Sequence, residues 1–140
     1  MSGLSRFGVS LDRALLQSLD QWLRRKGFAN RSQAIAELIR DRLVKEEWSS
    51  DQSSVIGTVT LVYDPSHHVL SHSLTKTQHA HHDAIISSQH IHLDEHNCLE
   101  VIVLKGRARD VKELADHLQA VKGIKHGQFL MTTTGAHLPR

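Results

Sequence analysis

Apolar and polar residues change their period several times along the 140-residue chain, and each change marks an expected element. Over residues 5–11, Phe7, Val9 and Leu11 alternate with Arg6, Gly8 and Ser10, the period of a half-buried strand. Asp12 suits a helix N-cap, after which Leu15, Leu16, Leu19, Trp22 and Leu23 recur at helical spacing, and Gly27 fits the position just beyond. A second helical repeat, capped by Asn30 or Ser32, puts Ile35, Leu38, Ile39 and Leu43 on one stripe of "NRSQAIAELIRDRLVKEEW".

The stretch "SSDQSS" at 49–54 is polar and aperiodic, which predicts a linker. Beyond it the β-branched run "VIGTVTLVY" predicts a strand, and Asp64-Pro65-Ser66 a turn. A helix-compatible stretch with Val69, Leu70 and Leu74 as its apolar residues continues to about His79. "AIISSQHIHL" and "CLEVIVLKG" predict two strands joined at Asp94 to Asn97. "ARDVKELADHLQAVKG" predicts an amphipathic helix on Val111, Leu114, Leu118 and Val121, and "KHGQFLMTTT" a last strand. This order is βαββαβ, the split βαβ arrangement of ferredoxin-like domains, with one sheet face left free to meet a second subunit.

The front of the chain is an awkward object by itself. One short strand and two helices in about fifty residues bury too little surface to be stable alone. Pairing the strand with its copy from a second chain removes the difficulty. It also makes an antiparallel ribbon presenting Arg6, Gly8 and Ser10, an element of the size that enters a DNA major groove. The competing expectation is a strand that pairs elsewhere in its own chain.

Charge and composition sharpen this division. Residues 1–50 carry nine Lys/Arg against six Asp/Glu, residues 51–140 eight against nine, and all twelve histidines follow residue 66. A basic, histidine-free front and a histidine-rich back imply two modules with different work. The lone cysteine excludes an intramolecular disulfide framework. No apolar run is long enough to span a bilayer, so the expectation is a cytoplasmic protein without a membrane partner.

The candidate chemistry is concentrated in "QHIHLDEHNC", residues 89–98. Alternation along a strand puts His90 and His92 on one face, and a short turn returns Cys98 beside them. Two imidazoles and a thiolate are three of the four donors that a tetrahedral or square-planar transition metal needs. His79 is available as a fourth, with His81 and His82 close by in sequence. The bland alternative is a polar strand whose imidazoles face water, as His96 in the turn is expected to do. "HIHLDEH" also approaches the ligand run of metallo-β-lactamase-type hydrolases, but Glu95 interrupts it and that fold needs a longer chain. No nucleophile–base pair or phosphate loop stands out, so no enzyme is expected.

The "NRSQA" opening of the second helix resembles the ribbon-helix-helix repressors. Joined to a back module carrying H-x10-H-x-H-x5-C, with "TQH", "HIHLDEHNCLE" and "LKG" as markers, nearly the whole chain resembles the nickel-responsive transcriptional regulators. The resemblance implies an α+β fold: a dimeric ribbon-helix-helix (βαα) DNA-binding domain at 1–48, a linker at 49–54, and at 55–140 a ferredoxin-like βαββαβ ACT-type domain for nickel binding and tetramerisation. It implies one nickel ion per subunit, square-planar, held by His90, His92 and Cys98 with His79 of an opposing dimer. It further implies a homotetramer, a dimer of dimers, that binds double-stranded operator DNA when nickel is bound and represses nickel uptake genes. Arg6, Gly8 and Ser10 match base-reading positions, and Tyr63 and Glu100 match positions that support the metal ligands.

Three departures from the family pattern stand out. Gly8 replaces a hydroxyl residue, and His67 and His68 stand where relatives have basic residues. At the auxiliary cation site, whose two acidic positions appear here as Gln33 and Glu37 with the carbonyls of Gln119, Val121 and Ile124, one carboxylate is missing. The residues alone leave nickel, copper, cobalt and zinc open, and nickel comes from the resemblance. A metal-independent ribbon-helix-helix repressor or antitoxin and a histidine-rich metal-storage protein are the competing functions.

Overall fold

The computed structural model describes residues 3–139, the side chain of Val69 excepted. The chain divides into two compact units, Met1–Leu43 with Leu138–Arg140, and Val44–His137. The division falls inside a helix that runs on to Ser49.

In the first unit, α1 (Arg13–Lys26) begins where Asp12 Oδ2 accepts from the amides of Ala14 and Leu15 at 2.8 and 3.3 Å. It ends on Gly27 at φ 75°, a left-handed conformation that costs glycine nothing, and the amides of Gly27 and Phe28 return to Arg24 and Leu23. The start of α2 (Arg31–Ser49) is a reciprocal cap: Asn30 Oδ1 accepts from the Gln33 amide at 2.9 Å, and Gln33 Oε1 accepts from the Ala29 amide at 2.7 Å. Asn30 rather than Ser32 is therefore the cap. Arg31 closes the turn by forking onto Asp20 at 2.9 and 3.0 Å.

The first unit leaves much apolar surface uncovered. No residue of α1 is buried, and Phe7, Val9, Leu11, Leu15, Leu38 and Ile39 all lie exposed. Residues 3–12 belong to no ladder within this chain, so the alternation over 5–11 has no partner strand here.

The second unit holds β1 (Ser54–Tyr63), α3 (His68–Ala80), β2 (Ile85–Asp94), β3 (Asn97–Arg107), α4 (Ala108–Gln119) and β4 (His126–Thr132). The strands form one antiparallel sheet in the order β2-β3-β1-β4, the ferredoxin-like arrangement. Burial alternates along the two central strands: Val55, Val59, Leu61 and Tyr63 of β1, and Cys98, Glu100, Ile102 and Leu104 of β3, face inward. Leu70 and Leu74 of α3 and Val111, Leu114 and Leu118 of α4 complete that core. The opposite face, with Ile56, Val62, Leu99, Val101 and Val103, is left half-buried.

Trp48, near the end of α2, packs into this second core rather than with the helices that precede it. Its indole nitrogen donates to the Thr132 carbonyl at 2.8 Å and its ring meets Phe129 edge-on. Lys112 Nζ donates to the Trp48 carbonyl at 3.1 Å, satisfying one of the carbonyls that a helix end leaves open. Among the described residues no helix is long and apolar enough to cross a membrane.

Candidate metal centre

The site is built on the pairing of β2 with β3. The register sets His90 against Glu100 and His92 against Cys98, with an irregularity between His92 and Asp94. Directly opposed residues share a face, with Cβ atoms about 4.5–5.5 Å apart, so both imidazoles project over the thiol and the carboxylate. This is the helix-covered side, because Tyr63, paired with Cys98 through β1, lies there too. The hairpin that returns the chain is tight. Asp94 Oδ1 accepts from the His96 amide at 2.8 Å and from the Asn97 side chain at 2.9 Å. Those bonds, the Asn97 side chain first, hold the Asp94 carboxyl below its ordinary pKa.

Glu100 is the hub. Among the described residues it is the buried charged one, 3% exposed, and its carboxylate accepts from three donors. Tyr63 Oη donates to Oε2 at 2.8 Å, and Gln78 Nε2 and Ser88 Oγ donate to Oε1 at 2.7 and 2.8 Å. Satisfaction on this scale is what makes a buried carboxylate tolerable. Burial first, then the hydrogen bond and charge of Glu100, push the Tyr63 hydroxyl well above the ordinary phenol range. The phenol is therefore a fixed donor at neutral pH.

His90 is oriented through that phenol. Its Nε2 stands 2.7 Å from Tyr63 Oη. The only phenol hydrogen is committed to Glu100, so the oxygen accepts from Nε2–H. In the neutral ring this leaves Nδ1 as the free lone pair, 3.8 Å from Glu100 Oε2. The ring of His92 follows at 6.4 Å between centroids. Cys98 is fully buried, its sulfur 3.8 Å from the Leu99 carbonyl.

His79 lies exposed in the last turn of α3. A cleft of about 280 Å³ has Tyr63, Gln78, His79, Ser88, His90 and Glu100 on its wall. The expected donors are thus divided: His90, His92 and Cys98 share one face of the hairpin, and His79 comes from the helix above. Among the described residues, no three His, Cys, Asp or Glu side chains are already gathered closely enough to hold an ion. The donor set nonetheless fits a borderline transition metal, since two imidazoles and a thiol meet across one strand pair with a hydrogen-bonded carboxylate behind them.

Gln78 and Ser88 were not singled out from the sequence. Ser88 could have been, because it lies two residues before His90 and so shares its strand face. Gln78 sits beside His79 in "TQH", but only the packing of α3 aims it at Glu100.

The remaining expected residues lie elsewhere. Arg6, Gly8 and Ser10 are all exposed in the segment before α1, and a Cβ built on Gly8 meets nothing within 4 Å. Gln33 and Glu37 belong to α2 in the first unit, with the Gln33 carbonyl engaged in the helix cap. Gln119, Val121 and Ile124 belong to the second unit, where Gln119 donates to the Ala115 carbonyl.

The family model described as the NikR C terminal nickel binding domain matches residues 56–132. A relative from Geobacter sulfurreducens is 57% identical over 135 residues, covering 95% of this chain and 96% of its own length. Others from Geotalea uraniireducens, 56% identical over 135 residues, and Solibacter usitatus, 51% identical over 138, span 95% and 99% of this chain and 96% and 99% of their own. All three carry the name of a nickel-responsive regulator. Among solved structures, an uncharacterized protein from Thermotoga maritima superposes with a TM-score of 0.52 at 13% identity, covering 58% of this chain and all of that one, a likeness of fold alone.

Proposed function

The chain belongs to the nickel-responsive regulators built on the NikR C-terminal nickel-binding domain, and on that premise we propose that it binds operator DNA when nickel is bound and represses nickel uptake genes. The observation that carries this reading is the register that sets His92 against Cys98 and His90 against Glu100 on one face of a hairpin. His90, His92 and Cys98 would hold one ion per subunit, with His79 of an opposing dimer as the fourth donor. Bound nickel supplies the free energy that gathers ligands from two subunits.

The chain's own residues do the rest. Tyr63 and Glu100 hold His90 in one orientation, and the same carboxylate holds Gln78 next to His79. A change at the hairpin is thereby felt at the end of α3. The half-buried sheet face provides the surface on which dimers meet as a homotetramer. The exposed apolar residues of the first unit are covered by a second copy, whose strand pairs with residues 5–11 to present Arg6, Gly8 and Ser10 to the major groove. In this reading residues 1–48 are the DNA-binding domain, 49–54 the connection and 55–140 the sensing domain.

Nickel must bind the DNA-competent state more tightly than the other, or it shifts nothing. The test is operator binding by the full chain and by Cys98→Ala, with nickel and with a chelator. Nickel-dependent binding that disappears in the variant supports the reading. Binding indifferent to chelator makes the protein a metal-independent repressor. Retained nickel dependence in the variant removes Cys98 from the site.

A further inference from the structure

The proposed hairpin site uses two of the twelve histidines, with Cys98, and asks one more histidine from another subunit. A different pair comes together within the second unit, away from the hairpin. His81 ends α3 as its C-cap, and His117 lies in the last turn of α4. Their rings are 6.4 Å apart between centroids and inclined at 75°. They stand on the wall of a solvent-open cavity of about 360 Å³, with Thr77 and Lys76 beside His81 and Ala120 and Val121 beside His117.

The His81 ring is held by a contact that the hairpin site does not use. Its Nδ1 stands 2.9 Å from the Thr77 carbonyl, which can only accept, so Nδ1 carries the proton. A neutral ring so held presents the Nε2 lone pair outward. A backbone carbonyl on the far nitrogen is the usual way proteins orient a ligating imidazole. With metal–nitrogen distances near 2.0–2.1 Å, two imidazoles sharing one ion place their centroids about 4.5–6.5 Å apart, nearest at a right angle and farthest when opposed across the ion. The observed separation lies at the upper end of that range, so a small rotation of the exposed His117 closes it.

We propose that His81 and His117 form an auxiliary site for a divalent transition-metal ion, completed by water, that clamps the end of α3 to α4. The charges around it are mixed. Glu113 lies one helical turn before His117 on the same face of α4 and favours a cation. Lys76 opposes one, but it is exposed and its ammonium is free to move into solvent. The result is a weak site that fills after the thiolate site. Its occupation holds down the helix that carries His79. The proposal stands on these two residues and does not require the hairpin to be a nickel sensor.

The experiment is a nickel titration of the full chain, followed by thiolate charge-transfer absorption and by equilibrium metal counting, repeated with His117→Ala, His81→Ala and Cys98→Ser. The expected result is a second equivalent that leaves the thiolate band unchanged. Loss of an outer partner alone weakens metal binding by about 10–100-fold, so each histidine variant should weaken the second equivalent at least that much. His117→Ala should leave the thiolate band intact, and Cys98→Ser should keep the second equivalent while losing the band. A second equivalent that survives His117→Ala unchanged, or no second equivalent at all, overturns the site. A missing thiolate band with a His117-dependent equivalent would instead sink the sensor reading and leave this site standing.

Discussion

Tyr63 is the chain's only tyrosine, which makes its environment directly measurable. The side chain is 1% exposed, donates to Glu100 at 2.8 Å and accepts from His90 at 2.7 Å. Replacing it with phenylalanine keeps the ring packing and deletes both bonds. A hydrogen bond to a charged group contributes about 1.5–3 kcal/mol, and a buried acceptor left short of a donor costs on the same scale, so Tyr63→Phe should lose roughly 2–3 kcal/mol. Urea unfolding of the metal-free protein at neutral pH measures this. Nickel affinity should fall about 10–100-fold, because His90 loses the group that orients it.

The same phenol predicts an alkaline limb. Its folded pKa is raised by burial and by Glu100, so its contribution is fully present below the unfolded value of about 10. Stability is lost as pH rises above that value, because only the unfolded chain releases the proton. Phenolate absorption should therefore appear together with unfolding rather than before it, and Tyr63→Phe should flatten the limb. A phenolate band that develops near pH 10 in protein whose circular dichroism is still native would refute the buried, Glu100-bonded phenol. So would a variant within about 0.5 kcal/mol of the parent, since an exposed surface change costs no more than that.

Two further outcomes follow from other parts of the molecule. Trp48→Ala removes a core indole with its bond to Thr132 and should cost about 3–5 kcal/mol, read as an earlier urea midpoint for the second unit. Asp20 has a lowered pKa, first through its hydrogen bond to Arg31, so its contribution is present above about pH 3.9 and lost as pH falls below it. Asp20→Asn should shallow the acid limb of the unfolding profile measured by circular dichroism, and an unchanged limb would remove the pair from the account.

Local rules carried a great deal of this protein. Asp12, Gly27 and Asn30 mark helix ends because a cap depends on residues within a turn of itself. The period-two pattern put His90 and His92 on one face, because side-chain direction along a strand needs no partner to be set. A two-residue turn between Asp94 and Asn97 was legible for the same reason. What needed the tertiary structure was everything that depends on distance between elements. Only the ladder says that His92 meets Cys98 and His90 meets Glu100. Only the packing of α3 brings Gln78 to that carboxylate, and only its last residues bring His81 toward His117. Trp48 makes the point most plainly. Helical spacing placed it at the end of the front module, yet its indole finds the Thr132 carbonyl and the edge of Phe129 in the second core. Periodicity records which side of an element is apolar, and burial of that side against a particular partner is settled by whichever surface the folded chain brings to it.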